Sequence, residues 1–400
     1  MKIGILREEK SPVDNRAPLT PIQCQQLQEQ YQSISLFVQS SNVRCFKDAD
    51  YQNLGIKLVD DISNCDVLLG IKEVPIANLI PNKTYFFFSH TIKKQEYNRG
   101  LLQAMVAKNI EMIDYEVIRN AKGKRLLGFG RYAGIIGAYN GLLTYGLKSE
   151  KYQLKAAHLC EDRAAMESEL EKLKLNNEKI VLTGSGRVGQ GALETLRKAN
   201  IKEVSKDEFL NSTFNEAVFT QLNTEDYNAR IDGTAFNKFE FYNQPEFYIS
   251  TFKQYAKEAD IFIAGHYYSD GAPYFITKKD AKSDKFNLSV IADISCDING
   301  PIASTIRAST IENPIYGYNP NTETGDDFMA EGNIAVMAVD NLPSELPKDA
   351  SEDFGSNLLE KIFPILVQED NEGILAKATI CKNGNLTTNF EYLRDYLNGL

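Results

Sequence analysis

The chain has 400 residues, 43% of them hydrophobic, a formal net charge of −10 and six scattered cysteines. That length implies about two or three domains, and the dispersed acidic charge excludes the basic footprint of a nucleic-acid binder. No apolar run reaches membrane-span length, MKIGILREEK starts as a strand rather than a signal peptide, and no C-x-x-C pair occurs. The expectation is a cytoplasmic protein with reduced thiols and no metal framework.

Apolar patterning predicts strands over 2–6, 34–39, 67–71, 84–89 and 111–114, with helices over 21–30 and 93–109. Such alternation implies a parallel sheet with helices on both faces. The small, apolar run RYAGIIGAYNGLLTYGL at 131–147 predicts a long buried helix leading into a second domain. The charged segment 148–177 reads as a solvated helix and linker. A second alternating series follows, with strands over 179–183, 201–204, 261–264 and 289–293 and a helix over 189–200. The polar, aromatic-rich stretch 205–257 receives no assignment. After Gly332, NIAVMAVDNLP predicts a strand, followed by helical segments over 355–367 and 389–397. The fold class is therefore α/β, as two alternating units with the reactive cleft expected between them.

The stretch VLTGSGRVGQGA at 181–192 sits between a strand and a helix, where a dinucleotide-binding G-x-G-x-x-G belongs. Gly184 would permit the tight turn, Gly186 would admit a pyrophosphate, and Gly189 would let helix and strand pack closely. Arg187 and Val188, in the same loop, are further candidates for cofactor binding, and the N-terminus of the following helix would face the phosphates. The alternative is an unliganded strand-to-helix turn. A reader of the ribose 2′ position is expected about 20 residues on, which points to Ser205 after the strand 201–204. Lys206 and Arg187 would tolerate a 2′-phosphate there, whereas Glu203 and Asp207 would repel it. NAD is favoured and NADP not excluded.

The first 130 residues place titratable groups in loops. Arg16 lies in NRAPLTP, Lys72 and Glu73 follow the strand 67–71, and His90 follows the strand 84–89. Parallel strands that each end on a titratable residue converge on one crevice. Lys72 as a surface lysine and His90 as a capping residue are the structural alternatives.

The segment KIGI…RAPLTP resembles the alanine dehydrogenase and transhydrogenase superfamily. More closely, the chain resembles lysine-ketoglutarate reductase and the lysine-forming saccharopine dehydrogenases. The matching pieces are GIKEVP at 70–75, TYFFFSHTIKKQ at 84–95, MIDYE at 112–116 and GFGRYAG at 128–134. IADISCD at 291–297 and AVDNLPSELPKDASEDFG at 338–355 extend the match over nearly the whole chain. The resemblance implies two Rossmann-like domains with parallel sheets: a substrate domain from 1–130 plus 331–400, and a dinucleotide-binding domain from 131–330.

It also implies a reaction: saccharopine, water and oxidised nicotinamide interconverting with lysine, 2-oxoglutarate and reduced nicotinamide. Lys72 matches the base that deprotonates the secondary amine, and His90 the group that activates water. Glu73 and Glu116 match carboxylates that moderate the charge of this pair. Arg16 and Arg125 match clamps for substrate carboxylates, with Gln95 and Phe129 lining the same pocket. Lys93 and Lys124 have less support. Asp293 would lie near the nicotinamide, with Ile294 and Ser295 beside it, or would serve as an N-cap; Asp297 has less support. The rival readings are an alanine dehydrogenase and a non-catalytic nucleotide sensor. Small-molecule substrates are the expected partners, with no nucleic acid and no membrane.

Overall fold

The computed structural model describes residues 1–269 and 271–400. Met1–Phe129 and Pro347–Leu400 form one compact unit, and Gly130–Leu346 forms a second. The N-terminal part of the first unit contains β1 (Lys2–Ile5), α1 (Pro21–Gln30), β2 (Ser35–Gln39), α2 (Asp48–Gln52) and β3 (Lys57–Val59). It continues with β4 (Val67–Lys72), β5 (Thr84–Phe88), α3 (Glu96–Ala107) and β6 (Glu111–Asp114). The second unit opens with α4 (Gly130–Ser149), α5 (Arg163–Glu169), β7 (Lys179–Thr183), α6 (Arg187–Lys198), β8 (Lys202–Glu203), α7 (Lys206–Asn211) and β9 (Val218–Leu222). A small insertion follows with β10 (Asn228–Arg230), α8 (Lys238–Asn243) and β11 (Tyr248–Ser250). Next come α9 (Lys253–Ala256), β12 (Ile261–Ala264), α10 (Lys278–Ala281), β13 (Val290–Asp293), β14 (Ile315–Asn319), β15 (Thr324–Asp326) and β16 (Ile334–Met337). The chain then returns to the first unit through α11 (Pro347–Lys361), α12 (Phe363–Val367), α13 (Ile374–Ala378), β17 (Thr379–Lys382), β18 (Asn385–Leu386) and α14 (Arg394–Asn398).

The first sheet has the order β18-β17-β6-β5-β4-β1-β2-β3. Strands β1 to β6 pair in parallel, while β17 is antiparallel to β6. Side chains of β4 and β5 alternate between two apolar cores: Val67, Leu69, Phe86 and Phe88 enter one, and Leu68, Tyr85 and Phe87 the other. A parallel sheet buried on both faces needs this nearly continuous apolar sequence. Helix α1 starts at a Thr20 cap with Pro21 in its first turn, and Gln23 completes the capping box. Gln23 also donates from Nε2 to the Glu352 carbonyl at 2.8 Å, and the Ala17 N–H donates to Ser351 Oγ at 2.9 Å. These bonds fix α11 in the first unit.

The second sheet has the order β15-β14-β16-β13-β12-β7-β9-β8. Helix α4 matches the long buried helix expected at 131–147, and it lies against α6. The Arg131 guanidinium grips Glu194 through bonds of 2.7 and 2.8 Å, and Thr195 Oγ1 donates to the Ile135 carbonyl at 2.9 Å.

The strand expected after Gly332 is β16, and it does not belong to the first sheet. It pairs in parallel with β13, with Val290 opposite Ala335, and all four of its residues are buried there. The first unit therefore resumes at Pro347, not near residue 331. Within the unassigned 205–257, the structure has β9 between β7 and β8. Its sequence, VFTQL, is only five residues long and two of them are polar, so it lacks the continuous apolar run that marks a buried parallel strand.

Phe354 on α11 is 1% exposed and stacks on Phe129 at 4.7 Å and 11°. Phe354→Ala is expected to lower unfolding free energy by about 3–5 kcal/mol, measured by urea denaturation. A loss below about 1 kcal/mol would mean that this aromatic group does not anchor the C-terminal segment.

Candidate active site

In the first sheet β1 has β2 on one side and β4 on the other, so the carboxyl ends of β1 and β4 flank a topological switch point. Such points form ligand crevices in open α/β sheets. Lys72 ends β4, and Glu73 follows it. Phe88, the last residue of β5, pairs with Lys72, and His90 stands two residues beyond. Parallel pairing therefore brings the lysine and histidine loops to one edge. Glu73 joins them: its carboxylate meets Lys10 Nζ at 2.5 Å and His90 Nδ1 at 3.7 Å.

His90 has a left-handed backbone, with φ of 55°. Non-glycine residues adopt this conformation infrequently. The adjoining chain holds it there through Asp114, which is fully buried. Ser89 donates its N–H and hydroxyl to Asp114 Oδ2 at 3.0 and 2.5 Å, and the Glu116 N–H donates to Oδ1 at 2.7 Å. One carboxylate thus fixes both the histidine loop and the Glu116 loop.

Arg16 is 3% exposed and bound by Asp14: Nε to Oδ1 at 3.0 Å and Nη2 to Oδ2 at 2.6 Å. Its guanidinium lies over the Phe129 ring at 4.1 Å. Two of its donors are committed to Asp14, which orients it. Arg125 lies 3.8 Å from Glu116 and 5.6 Å from the Phe88 ring centre. The structure gathers Lys72, Glu73 and His90 at one edge and links Arg16, Phe129, Phe88, Arg125 and Glu116 through neighbouring rings. Gln95 is not tied to either group. It is exposed at the start of α3, where its Oε1 accepts from Tyr97 Oη at 2.7 Å. Lys93 and Lys124 are also exposed.

The charges shape the titration of these groups. Burial, then the positive charge of Arg16, holds the Lys72 amine below its usual range, with Asp14 opposing. Burial alone would raise the Glu73 carboxyl, but His90 and Lys10 pull it down to about 2. Sequence reasoning missed Lys10 and Asp14, on the long loop after β1, and Asp114, the last residue of β6; only Asp114 carries a sequence signal, as an acidic residue closing an apolar run.

In the second unit the glycine turn leads from β7 into α6. Gly184 has φ of 93°, and a Cβ there would lie 2.5 Å from the Gly265 carbonyl oxygen. A Cβ on Gly189 would lie 2.0 Å from the Gly184 carbonyl oxygen. A Cβ on Gly186, the N-cap of α6, would meet nothing within 4 Å. Two glycines are thus required by packing, and the third leaves open space before the helix N-terminus. Arg187 and Val188 form the first turn of α6, which carries no acidic side chain. A helix N-terminus so built favours an anion, so these residues fit the pyrophosphate of a dinucleotide.

Ser205 does not occupy the place expected of it. It caps α7, accepting from the Glu208 N–H at 3.2 Å, and follows β8, the outermost strand. The neighbour of β7 on that side is β9, because Gly184 N–H donates to the Leu222 carbonyl at 2.9 Å and Gln221 Nε2 to the Gly184 carbonyl at 2.9 Å. The residues following β9 are Asn223, Thr224, Glu225 and Asp226.

Asp293 ends β13, is 1% exposed, and accepts from Thr305 Oγ1 at 2.6 Å and the Cys296 N–H at 3.1 Å. It closes a turn rather than capping a helix. Ile294 and Ser295 follow, and Ser295 Oγ donates to the His266 carbonyl at 2.6 Å. Asp297, also partly buried, lies in the same turn. His266 was not anticipated. It follows β12 and Gly265, at the switch point between β7 and β12, and its Nδ1 lies 2.7 Å from Thr183 Oγ1. Phe275 stacks on its ring at 3.8 Å. Its sequence signal is a histidine after a buried strand.

The model of the N-terminal domain of the alanine dehydrogenase/PNT family matches residues 4–136, and that of the C-terminal domain matches 154–389. The chain belongs to this oxidoreductase family, which is pyridine-nucleotide-dependent. It is 28% identical to an alpha-aminoadipic semialdehyde synthase of Arabidopsis thaliana, over 98% of this chain and 41% of that one. It is 26% identical to a saccharopine dehydrogenase [NAD(+), L-lysine-forming] of Yarrowia lipolytica, over 93% of this chain and 94% of that one. The chain spans less than half the length of the plant and mammalian relatives it matches. An L-alanine dehydrogenase structure has the same fold, with a TM-score of 0.68 at 16% identity over 99% of this chain and all of that one. Among the described residues, no helix is long and apolar enough to cross a membrane.

Burial pushes the His266 imidazole down to about 3. The native state keeps it neutral while the unfolded chain, near 6.5, takes up a proton. The unfolded state then binds more protons, so this contribution to stability is lost as pH falls from about 6.5 towards 3. Between pH 7 and pH 5 the unmodified protein is expected to lose about 2 kcal/mol more stability than His266→Asn, read from urea unfolding at each pH. A parallel decline in both proteins would remove His266 as the source.

Proposed function

We propose that this protein interconverts saccharopine, NAD and water with lysine, 2-oxoglutarate and NADH. The observation that carries the reading is the junction of Lys72, Glu73 and His90 at the carboxyl ends of two paired parallel strands. The saccharopine dehydrogenase name of the Yarrowia lipolytica relative supports the same reaction. The first unit would hold the substrate and the second the nucleotide.

Saccharopine carries three carboxylates and a secondary amine that is protonated at neutral pH. Its C–H bond can release hydride only when the amine lone pair is available. Lys72 takes that proton, a role suited to an amine held below its ordinary pKa by burial and Arg16. The bound nicotinamide supplies the hydride acceptor. His90 then draws a proton from the water that adds to the substrate's C=N carbon. Rupture of the remaining C–N bond, with protonation of the departing amine, gives lysine and 2-oxoglutarate. Glu73 and Glu116 moderate the positive charge of this pair. Arg16, preset by Asp14 and Phe129, and Arg125 hold substrate carboxylates. Asp293, Ile294 and Ser295 line the nicotinamide end of the nucleotide site.

The purified protein is expected to oxidise NADH only when lysine and 2-oxoglutarate are both present. Lys72→Met should reduce that rate about 10²–10⁴-fold, as loss of a general base does, without weakening NADH binding. Turnover of pyruvate and ammonia with no response to lysine would replace this reading with an alanine dehydrogenase.

We assign reading of the ribose 2′ position to the turn after β9, where Glu225 is exposed and Asp226 pairs with Lys206 at 2.5 Å. Carboxylates there oppose a 2′-phosphate and favour NAD. Fluorescence titration should give tighter binding of NADH than NADPH. Glu225→Arg should narrow or reverse that difference, and Ser205→Arg should leave it unchanged. Tighter NADPH binding by the unmodified protein would show the assignment to be wrong.

A further inference from the structure

Strand β4 runs past the end of its neighbour β1. The last ladder bond between them is from the Leu6 N–H to the Leu69 carbonyl, at 2.8 Å, yet β4 continues to Lys72. On the β5 side the register shifts between Leu69 and Lys72. A bulge of this kind can turn successive N–H groups to the same side, and here both point away from any strand. Glu8, on the loop after β1, receives them: Oε1 accepts from the Ile71 N–H at 2.6 Å and Oε2 from the Lys72 N–H at 2.9 Å. Glu8, Lys72 and Glu73 line one cleft at the switch point.

We propose that Glu8 is a positioning residue for Lys72. Its carboxyl group replaces the strand that β4 outruns and holds the Lys72 backbone rigid, so that the amine stays in its desolvated setting. This rests on the reading of Lys72 as the amine base. Two N–H groups with no strand partner would otherwise leave the end of β4 to fray into water. Asp14, Arg16 and Tyr115 surround Glu8, while Lys10 and Glu73 act with Arg16 and Asp14 on the Lys72 side chain. Burial raises the Glu8 carboxyl to about 8 against the pull of the two N–H bonds.

The test compares the full chain with Glu8→Ala and Glu8→Gln. Acylation of Lys72 by acetic anhydride, followed across pH by mass spectrometry, reports the midpoint of its titration without any turnover. In Glu8→Ala that midpoint should rise towards that of an exposed lysine, and kcat should fall about 10²-fold, as a misplacement of about 1 Å can cause. NADH affinity should stay the same. Glu8→Gln keeps one acceptor but sets an amide N–H against a backbone N–H, so it should shift the midpoint in the same direction by less. Should Glu8→Ala fail to fold, Glu8→Gln carries the test. An unchanged Lys72 midpoint in the folded variants would overturn the proposal, even if stability falls. If Lys72→Met retains full turnover, the amine-base reading fails instead, and the labelling midpoint still reports whether Glu8 positions the lysine.

Discussion

Parallel pairing puts the carboxyl ends of all participating strands on one edge of a sheet, and both units of this protein are organised by that constraint. The faces of each sheet are buried, so that edge is where polar side chains can meet solvent and ligands. In the first unit it brings the ends of β1, β4, β5 and β6 together, and with them Glu8, Lys72, His90 and Asp114. In the second unit the same rule gathers Gly184, His266 and Asp293. Each cluster is assembled from residues tens of positions apart, with no need for a dedicated structural element.

Charge is balanced locally within the first cluster. Arg16 is nearly inaccessible and would be an uncompensated buried charge without Asp14. Pairing compensates and aims it, while its field helps depress the neighbouring Lys72 amine. Glu73 faces His90 and Lys10, and both of these stabilise its ionised form. The charged form is disfavoured on Lys72 and favoured on Glu73, the next residue, because their side chains face different partners.

Backbone restraint accompanies this electrostatic one. Asp114 holds the left-handed residue His90 by binding the residue before it, and binds the Glu116 loop with its other oxygen. Left-handed conformations at non-glycine positions persist where the surroundings over-determine them. The fixed geometry of the histidine loop therefore depends on a fully buried carboxylate.

Much of the architecture was legible in the sequence because the strands are short apolar runs and the helices carry clear starts. Thr20-Pro21 announces α1, and the GSGRVG turn announces the entry into α6. The positions of Lys72, Glu73 and His90 at strand ends were equally visible, since a titratable residue after an apolar run is a local feature. Strand order was not. Nothing in IKEV or VFTQL states that the second lies beside β7 and the first outside it, and that exchange moved the expected 2′ reader from Ser205 to the turn after β9. The same holds for β16, which sequence adjacency to the C-terminal segment suggested for the first sheet and which pairing with β13 places in the second. Asp14 on Arg16 and the Glu8 carboxyl on β4 were also hidden. Local periodicity tells a residue which face it occupies, but which strand lies alongside, and which side chain a buried charge meets, are decided only when distant segments pack.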